Sequence, residues 1–529
     1  METINKIIII GGGTSGWMTA ATLIRNCEDI EIVVVDSENI PTIGVGESTI
    51  VYINSYLENL GLHDEDWMSY CNATYKMSIN YTNWGGQKET VKYPFGHATW
   101  LNKYGACEWF QKNSLIGGER DEYVDFALGT GQMMRENKLT GEDSGIRGWD
   151  HEYDTSYHLE AHLFAKYLRE EYSKPKGVKH IRDTIIKVHQ HEEDGYISGL
   201  ETNDNGILTA DLYVDCSGKK SLLIGETLNV PFISFSDKLI NDKAVATHLP
   251  YRDKEVELVH NTDAYALSSG WVWNIPLWKS IGTGYVYSSQ FITPEEAEEE
   301  FKEYLINDRN VPHSREEVES LPMHHIPHIR NGLHERSWDK NVCSIGLAFG
   351  FVEPLASTGL MFIAKQSHNL IKALESRKGK VNGYDKSLYN KKCHDILVRF
   401  SGFIGAHYAL AENDSSPYWR YVTGDINYME DPHNIWTDLT KKIPSASDEF
   451  DTYWARVSPI DPILYVMAGM GYNPIEKSIN REQLGKPGFQ RLVQLQNDIT
   501  EDIEKQKDYI KDFPSHYQFL KNTIYQGME

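Results

Sequence analysis

The sequence is poor in the features of secreted, membrane-spanning or nucleic-acid-binding chains. It has six cysteines in 529 residues: Cys27, Cys71, Cys107, Cys216, Cys343 and Cys393. They are scattered, with no Cys-x-x-Cys pair and no histidine cluster at zinc spacing, which points to reduced thiols and to no structural metal. Long apolar runs are missing as well. The longest near the start is Ile7 to Ile10, too short for a signal-peptide core or a membrane span. Positive charge is scarce: 52 Lys and Arg stand against 76 Asp and Glu, a formal net charge of −24. A surface that acidic repels nucleic acid and anionic membrane, so neither is expected as a partner, and a cytoplasmic location is. What the chain does have is aromatic weight, 12% of residues within a 40% hydrophobic total. That composition belongs to a globular protein with a large core and two or three structural units.

The N-terminal residues 6–36 read as one βαβ unit. Lys6-Ile7-Ile8-Ile9-Ile10 is unbroken and β-branched, as a strand buried on both faces should be. Gly11-Gly12-Gly13-Thr14-Ser15-Gly16 follows at once, then a helix-like stretch, then Glu31-Ile32-Val33-Val34-Val35-Asp36, a second buried strand ending in an acid. Gly11 permits the tight turn, Gly13 lets backbone approach a pyrophosphate, and Gly16 lets the helix pack on the strand. Thr14 and Ser15 open the helix whose N-terminus supplies the anion site. Asp36 lies about 20 residues beyond the last glycine, where a carboxylate can accept ribose hydroxyl bonds. This motif does not separate FAD from NAD. A later strand, Asp211 to Asp215, runs into Cys216-Ser217-Gly218, as in single-FAD oxygenase folds where a returning strand closes over the cofactor. With one complete dinucleotide motif, the expectation is FAD, no second nicotinamide site, and reduced flavin delivered by a partner reductase.

Three further segments stand out. In Gly270-Trp271-Val272-Trp273-Asn274-Ile275-Pro276 two tryptophans at i and i+2 share one face of a strand, and Pro276 ends it. In Thr74-Tyr75-Lys76-Met77-Ser78-Ile79-Asn80-Tyr81-Thr82-Asn83-Trp84 the aromatic and aliphatic positions alternate with polar ones, which is strand periodicity. In Gly346 to Leu360 a glycine-rich approach leads through Glu353-Pro354-Leu355-Ala356-Ser357-Thr358-Gly359 into an apolar helix reaching about Leu374, with Ser357 or Thr358 as N-cap. Taken alone, each also fits an ordinary core strand, a surface lysine or a capped helix.

Together they resemble the flavin-dependent tryptophan halogenase family. Supporting matches are Ile43-Gly44-Val45-Gly46-Glu47-Ser48-Thr49, Tyr157-His158-Leu159-Glu160-Ala161, Asn241 to Ala246, Gly284 to Ser289, and His407-Tyr408 with Trp419-Arg420, so the likeness runs to about residue 475. The Trp-x-Trp-x-Ile-Pro segment is the most specific, because it separates this family from related flavin hydroxylases. The resemblance implies an α/β fold: an FAD/NAD(P)-binding, flavin monooxygenase-like box over residues 1–400, with inserted substrate-facing segments around 80–160, and a mainly helical substrate module over 401–529. It implies FAD held by Gly11, Gly13, Thr14, Ser15, Gly16, Asp36, Gly46, Glu47, Ser48, Asp215, Gly346 and Pro354. Reduced flavin, oxygen and a halide ion bound at the Thr358-Gly359 backbone then give hypohalous acid. A channel screened from water by Trp271 and Trp273 carries it to Lys76, which with Ser357 makes the catalytic set. A lysine there can hydrogen-bond the acid or, if neutral in a dry channel, form a haloamine.

One position departs from the pattern. Tryptophan-specific members carry Glu where this chain has Ala356. The smaller side chain leaves room for bromide or iodide and for a less tightly held substrate. Phe95, His97 and Trp454 are expected in a pocket for a small aromatic substrate, although aromatics in a large chain are more often core. A flavin-dependent aromatic hydroxylase and a catalytically silent flavin-binding protein stay open as alternatives, and so does a homo-oligomer.

Overall fold

The computed structural model describes residues 2–37, 44–85, 89–96, 98–101, 103–141, 145–375, 379–428, 460–473, 475 and 477–528. The chain divides into two compact units, each woven from three stretches of sequence. One comprises Met1–Ala73, Leu159–Leu239 and Arg330–Phe400; the other comprises Thr74–His158, Ile240–Ile329 and Ser401–Glu529.

The first unit is built on a six-stranded sheet in the order Trp338–Asp339, Val342–Ser344, Leu212–Asp215, Lys6–Ile10, Glu31–Asp36 and Lys179–Arg182. All neighbours are parallel except the edge pair Trp338–Asp339 and Val342–Ser344. A parallel strand in mid-sheet is covered on both faces, which is why Ile7, Ile8, Ile9 and Ile10 can all be apolar and all be buried. The helix Thr14–Asn26 follows the first strand and buries Trp17, Met18, Ala20, Ala21 and Leu23. The returning strand Leu212–Asp215 pairs beside the first, in the register Leu212↔Ile7 to Asp215↔Ile10.

The second unit is built on a seven-stranded sheet: His324–Ile326, Lys243–Leu249, Ile281–Tyr287, Gly270–Pro276, Asn261–Leu267, Ser78–Thr82 and Thr90–Pro94. Only Asn261–Leu267 and Ser78–Thr82 run parallel. One face packs under the helix Pro294–Glu303, which Thr293 starts with a capping box to Glu296. Ala297 and Phe301 from that helix meet Val245, Val272 and Tyr285 from the sheet in one core cluster. A polar row crosses the sheet through Lys92, Asn80, Asp263, Asn274, Thr283 and Thr247, in direct register from strand to strand. Among the described residues no helix is long and apolar enough to cross a membrane.

Candidate active site

In the first unit, the glycine loop has the shape a dinucleotide needs. Gly11 sits at φ +105, and a Cβ there would stand 2.3 Å from the carbonyl oxygen of Cys216. A Cβ on Gly16 would stand 1.9 Å from the carbonyl oxygen of Gly11, so the helix can lie this close to the turn only without a side chain. Gly13 differs, because a Cβ there would meet nothing within 4 Å. That open space lies at the N-cap of Thr14–Asn26, where no side chain caps the helix. Backbone N–H groups with room in front of them suit a pyrophosphate. The Asp36 carboxylate lies against Gly12, and its Oδ1 accepts a 2.6 Å hydrogen bond from His180 Nε2. His180 in turn meets Trp17 edge-on at 5.0 Å. The residues present therefore fit an adenine dinucleotide.

Other expected cofactor residues gather in the same unit. Gly346, at φ +70, comes so close to Ser15 that a Cβ would fall 2.9 Å from the serine's own, and its N–H donates to Gln366 Oε1 at 2.9 Å. Gly46 is also left-handed, at φ +79, ahead of Glu47–Ser48. Asp215 is fully buried, and its carboxylate accepts from Ser217 N and Oγ and from Leu223 N and Ile224 N. Ser217 belongs to the turn after its strand, and Leu223 and Ile224 to the helical segment Leu222–Thr227 beyond it, so Asp215 ties the two together. Pro354 opens a short 3-10 turn, Pro354–Ala356, after which Ser357 takes a left-handed φ of +56. The chain then enters the helix Gly359–Glu375, preceded by Thr358. Ala356 is buried at the end of the turn. The Glu47 carboxylate comes within 3.1 Å of where a Cβ on Gly359 would stand, so an acid faces the start of this helix.

In the second unit, Lys76 closes the strand Thr74–Lys76 and is wholly buried. Its amine stands 4.8 Å from the ring centre of Phe95, the residue picked from sequence as a pocket wall. The backbone nearby is pinned by Met77 N donating to His260 O at 2.7 Å and Phe95 N donating to Met77 O at 2.7 Å. Trp271 and Trp273 share one face of Gly270–Pro276, both buried, and Pro276 is its last residue. Trp273 packs on Gly284, where a Cβ would be 2.3 Å from the indole. The register places Trp273, Ala264 and Tyr81 in one row. Tyr81 leads into an aromatic cluster of Trp84, His407, Tyr408 and Trp419. Burial holds His407 neutral by pushing its pKa down to about 4, and its Nδ1 donates to Phe403 O. Among the described residues no group of three or more His, Cys, Asp or Glu side chains is arranged to hold a metal ion. His97 and Trp454 lie outside the described residues.

The sequence profile of the tryptophan halogenase family matches residues 6–483. The chain belongs to the tryptophan halogenase family. It is 34% identical over 439 residues to tryptophan 6-halogenase SttH of Streptomyces toxytricini, covering 79% of this chain and 81% of that one. The apo structure of VirX1 superposes with a TM-score of 0.88 at 34% identity, over 99% of this chain and 100% of the other. Tar14, a tryptophan C-6 flavin-dependent halogenase (chlorinase) from taromycin biosynthesis, superposes with a TM-score of 0.82 at 29% identity, over 98% and 99%. The protein is a flavin-dependent halogenase with an α/β fold, as the resemblance implied.

Several segments that carried the resemblance serve the halogenase as structure. Asn241 accepts from Tyr418 OH at 3.1 Å and donates to Tyr408 OH at 2.9 Å. Trp419 Nε1 donates to Leu267 O, and Trp84 Nε1 to Ala264 O. Sequence reasoning did not single out His180, which grips Asp36, and met His158, which stands beside the Lys76 strand, only within a segment shared with the family and without a role; both partnerships span more than 80 residues.

Proposed function

We propose that this halogenase forms hypohalous acid from halide and oxygen and that Lys76 delivers the halogen to an electron-rich arene, with tryptophan or a related indole or phenol as substrate class. The observation that carries the reading is a lysine with no solvent exposure, its amine against the ring of Phe95. FAD, when bound and reduced, supplies the oxygen chemistry that oxidises halide. The residues that would hold it are Gly11, Gly13, Thr14, Ser15, Gly16 and Asp36, with Gly46, Glu47, Ser48, Gly346 and Pro354 around them. The single dinucleotide motif supports a separate flavin reductase as the source of reducing equivalents.

Lys76 then acts in one of two ways. As an ammonium it donates a hydrogen bond to the oxygen of hypohalous acid and draws electron density from the halogen. As a free amine it takes the halogen onto nitrogen, releasing water. In both cases the arene carbon attacks the halogen and loses its ring proton. The lysine's contribution is orientation, holding the electrophile next to one ring carbon. The Thr358-Gly359 backbone, at the start of a 17-residue helix, supports halide binding there, with the left-handed Ser357 turning the chain into it. Trp271 and Trp273 keep water out. Ala356 in place of a family glutamate favours bromide or iodide, which are easier to oxidise than chloride.

The test is mass spectrometry of an arene panel incubated with enzyme, reduced FAD, oxygen and competing chloride, bromide and iodide. Products carrying bromine or iodine are expected. Lys76→Ala should abolish them while flavin oxidation continues. A gain of one oxygen in place of halogen would indicate a hydroxylase, and a chloride preference would remove the role assigned to Ala356.

A further inference from the structure

The strand that bears Lys76 is three residues long, Thr74–Lys76, and pairs with Ser156–Leu159 in the register Thr74↔His158 and Lys76↔Ser156. Thr74, Lys76, Ser156 and His158 therefore share one face of this ladder, and all four are completely buried. On the opposite face, Tyr75 packs on Tyr157, His151 and Phe519. A polar face with no solvent must be satisfied internally, and His158 contributes by bonding Thr74. Thr74 Oγ1 donates to the carbonyl oxygen of Pro276 at 2.6 Å, so its single proton is committed. Thr74 Oγ1 can then only accept from His158 Nδ1, 3.3 Å away. That leaves His158 Nε2 as the acceptor for Thr262 Oγ1 at 2.8 Å. The tautomer follows from the inability of a carbonyl to donate. Burial holds His158 neutral, and its charged or titratable neighbours Lys76, His516 and His260 add to that, against a backbone hydrogen bond with Pro276 that favours the charged form.

This chain of bonds ties a strand with few ladder bonds of its own to two strands of the seven-stranded sheet, Asn261–Leu267 through Thr262 and the Trp-x-Trp strand through Pro276. We propose that His158 is a positioning residue for halogen transfer: its Nδ1–H bond to Thr74 fixes the strand that presents the Lys76 amine. The inference rests on the delivery role given to Lys76 above. An amine displaced by about 1 Å loses up to about a hundredfold in an oriented reaction, and here the lost halogen escapes as free hypohalous acid.

The experiment compares Thr74→Val, Thr74→Ser, His158→Phe and His158→Asn. The readouts are brominated tryptophan (or the first panel arene the parent brominates) per flavin oxidised, free hypobromous acid caught by a soluble 1,3-diketone, the arene KM, and the melting temperature. Thr74→Val and His158→Phe should lower product per flavin about tenfold, with the missing bromine in the trap and an unchanged arene KM. Thr74→Ser keeps the hydroxyl, and His158→Asn keeps an N–H near the Nδ1 position, so both should couple as the parent does. Parental coupling in Thr74→Val overturns the inference, as does His158→Asn leaking as much as His158→Phe. Should His158→Phe fail to fold, Thr74→Val, which exchanges a hydroxyl for a methyl, decides alone. Lys76→Met separates the two readings. If it brominates like the parent, the role of Lys76 falls; if it is inactive while Thr74→Val couples normally, only the role of His158 falls.

Discussion

Two alanines placed three residues apart should separate folding from cofactor binding. At Gly16 an added methyl would sit 1.9 Å from Gly11 O and 3.0 Å from Gly11 C. Both are backbone atoms that cannot swing aside. The helix Thr14–Asn26 must then move off the sheet, at a cost of about 1–3 kcal/mol or more. At Gly13 the backbone is extended, with φ −78 and ψ −170, and the methyl meets nothing. Alanine adopts that conformation without strain, so the stability of the apoprotein should change by less than about 1 kcal/mol. The same methyl would occupy the space in front of the helix N-terminus. If a pyrophosphate passes there, FAD affinity falls at least about tenfold, or about 1.4 kcal/mol. Apoprotein melting and FAD titration by flavin fluorescence read the two quantities separately. Gly16→Ala should lower both, and Gly13→Ala affinity alone. Parental affinity in Gly13→Ala would refute the placement of the pyrophosphate.

Other outcomes follow from the same geometry. Burial raises the Asp263 carboxyl from 3.8 to about 6, against the pull of Thr82, Lys92, Asn274 and Arg309. The fold therefore prefers the neutral acid: this stability is fully present below about pH 4 and is lost as pH rises through about 6, about 3 kcal/mol at most. Asp263→Asn should flatten the melting profile between those limits, and parallel profiles would refute it. Glu47→Gln removes the carboxylate facing Gly359 and should lower the halide KM several-fold in steady-state kinetics, provided halide binds at that helix start. Gly284→Ala drives a methyl into Trp273 and should destabilise the protein by about 1–3 kcal/mol in denaturant melts.

The nucleotide half was readable in the sequence because its parts are neighbours: strand, glycine turn, helix and acid fall within residues 6–36, where burial on both faces of a parallel strand writes a continuous apolar run. The Trp271 and Trp273 face was readable for the same reason, since alternation along one strand fixes it. The polar wiring was not. Thr74 meets His158 and Pro276 across 84 and 202 residues, and the polar row from Lys92 to Thr247 exists only once six strands are in register. Asp215 is a further case: its carboxylate accepts from Ser217, Leu223 and Ile224, bonds that the run of residues from Asp211 to Gly218 does not announce.

The interleaving of the two units bears on synthesis. The strand Lys6–Ile10 emerges ahead of its neighbour Leu212–Asp215 by some two hundred residues, and Val342–Ser344 comes later still. Gly346, which closes against Ser15, follows at once. The contact between Ser15 and Gly346 therefore cannot form on the ribosome until Gly346 has left the exit tunnel. Nascent chains stalled before that point should be sensitive to protease and indifferent to added FAD.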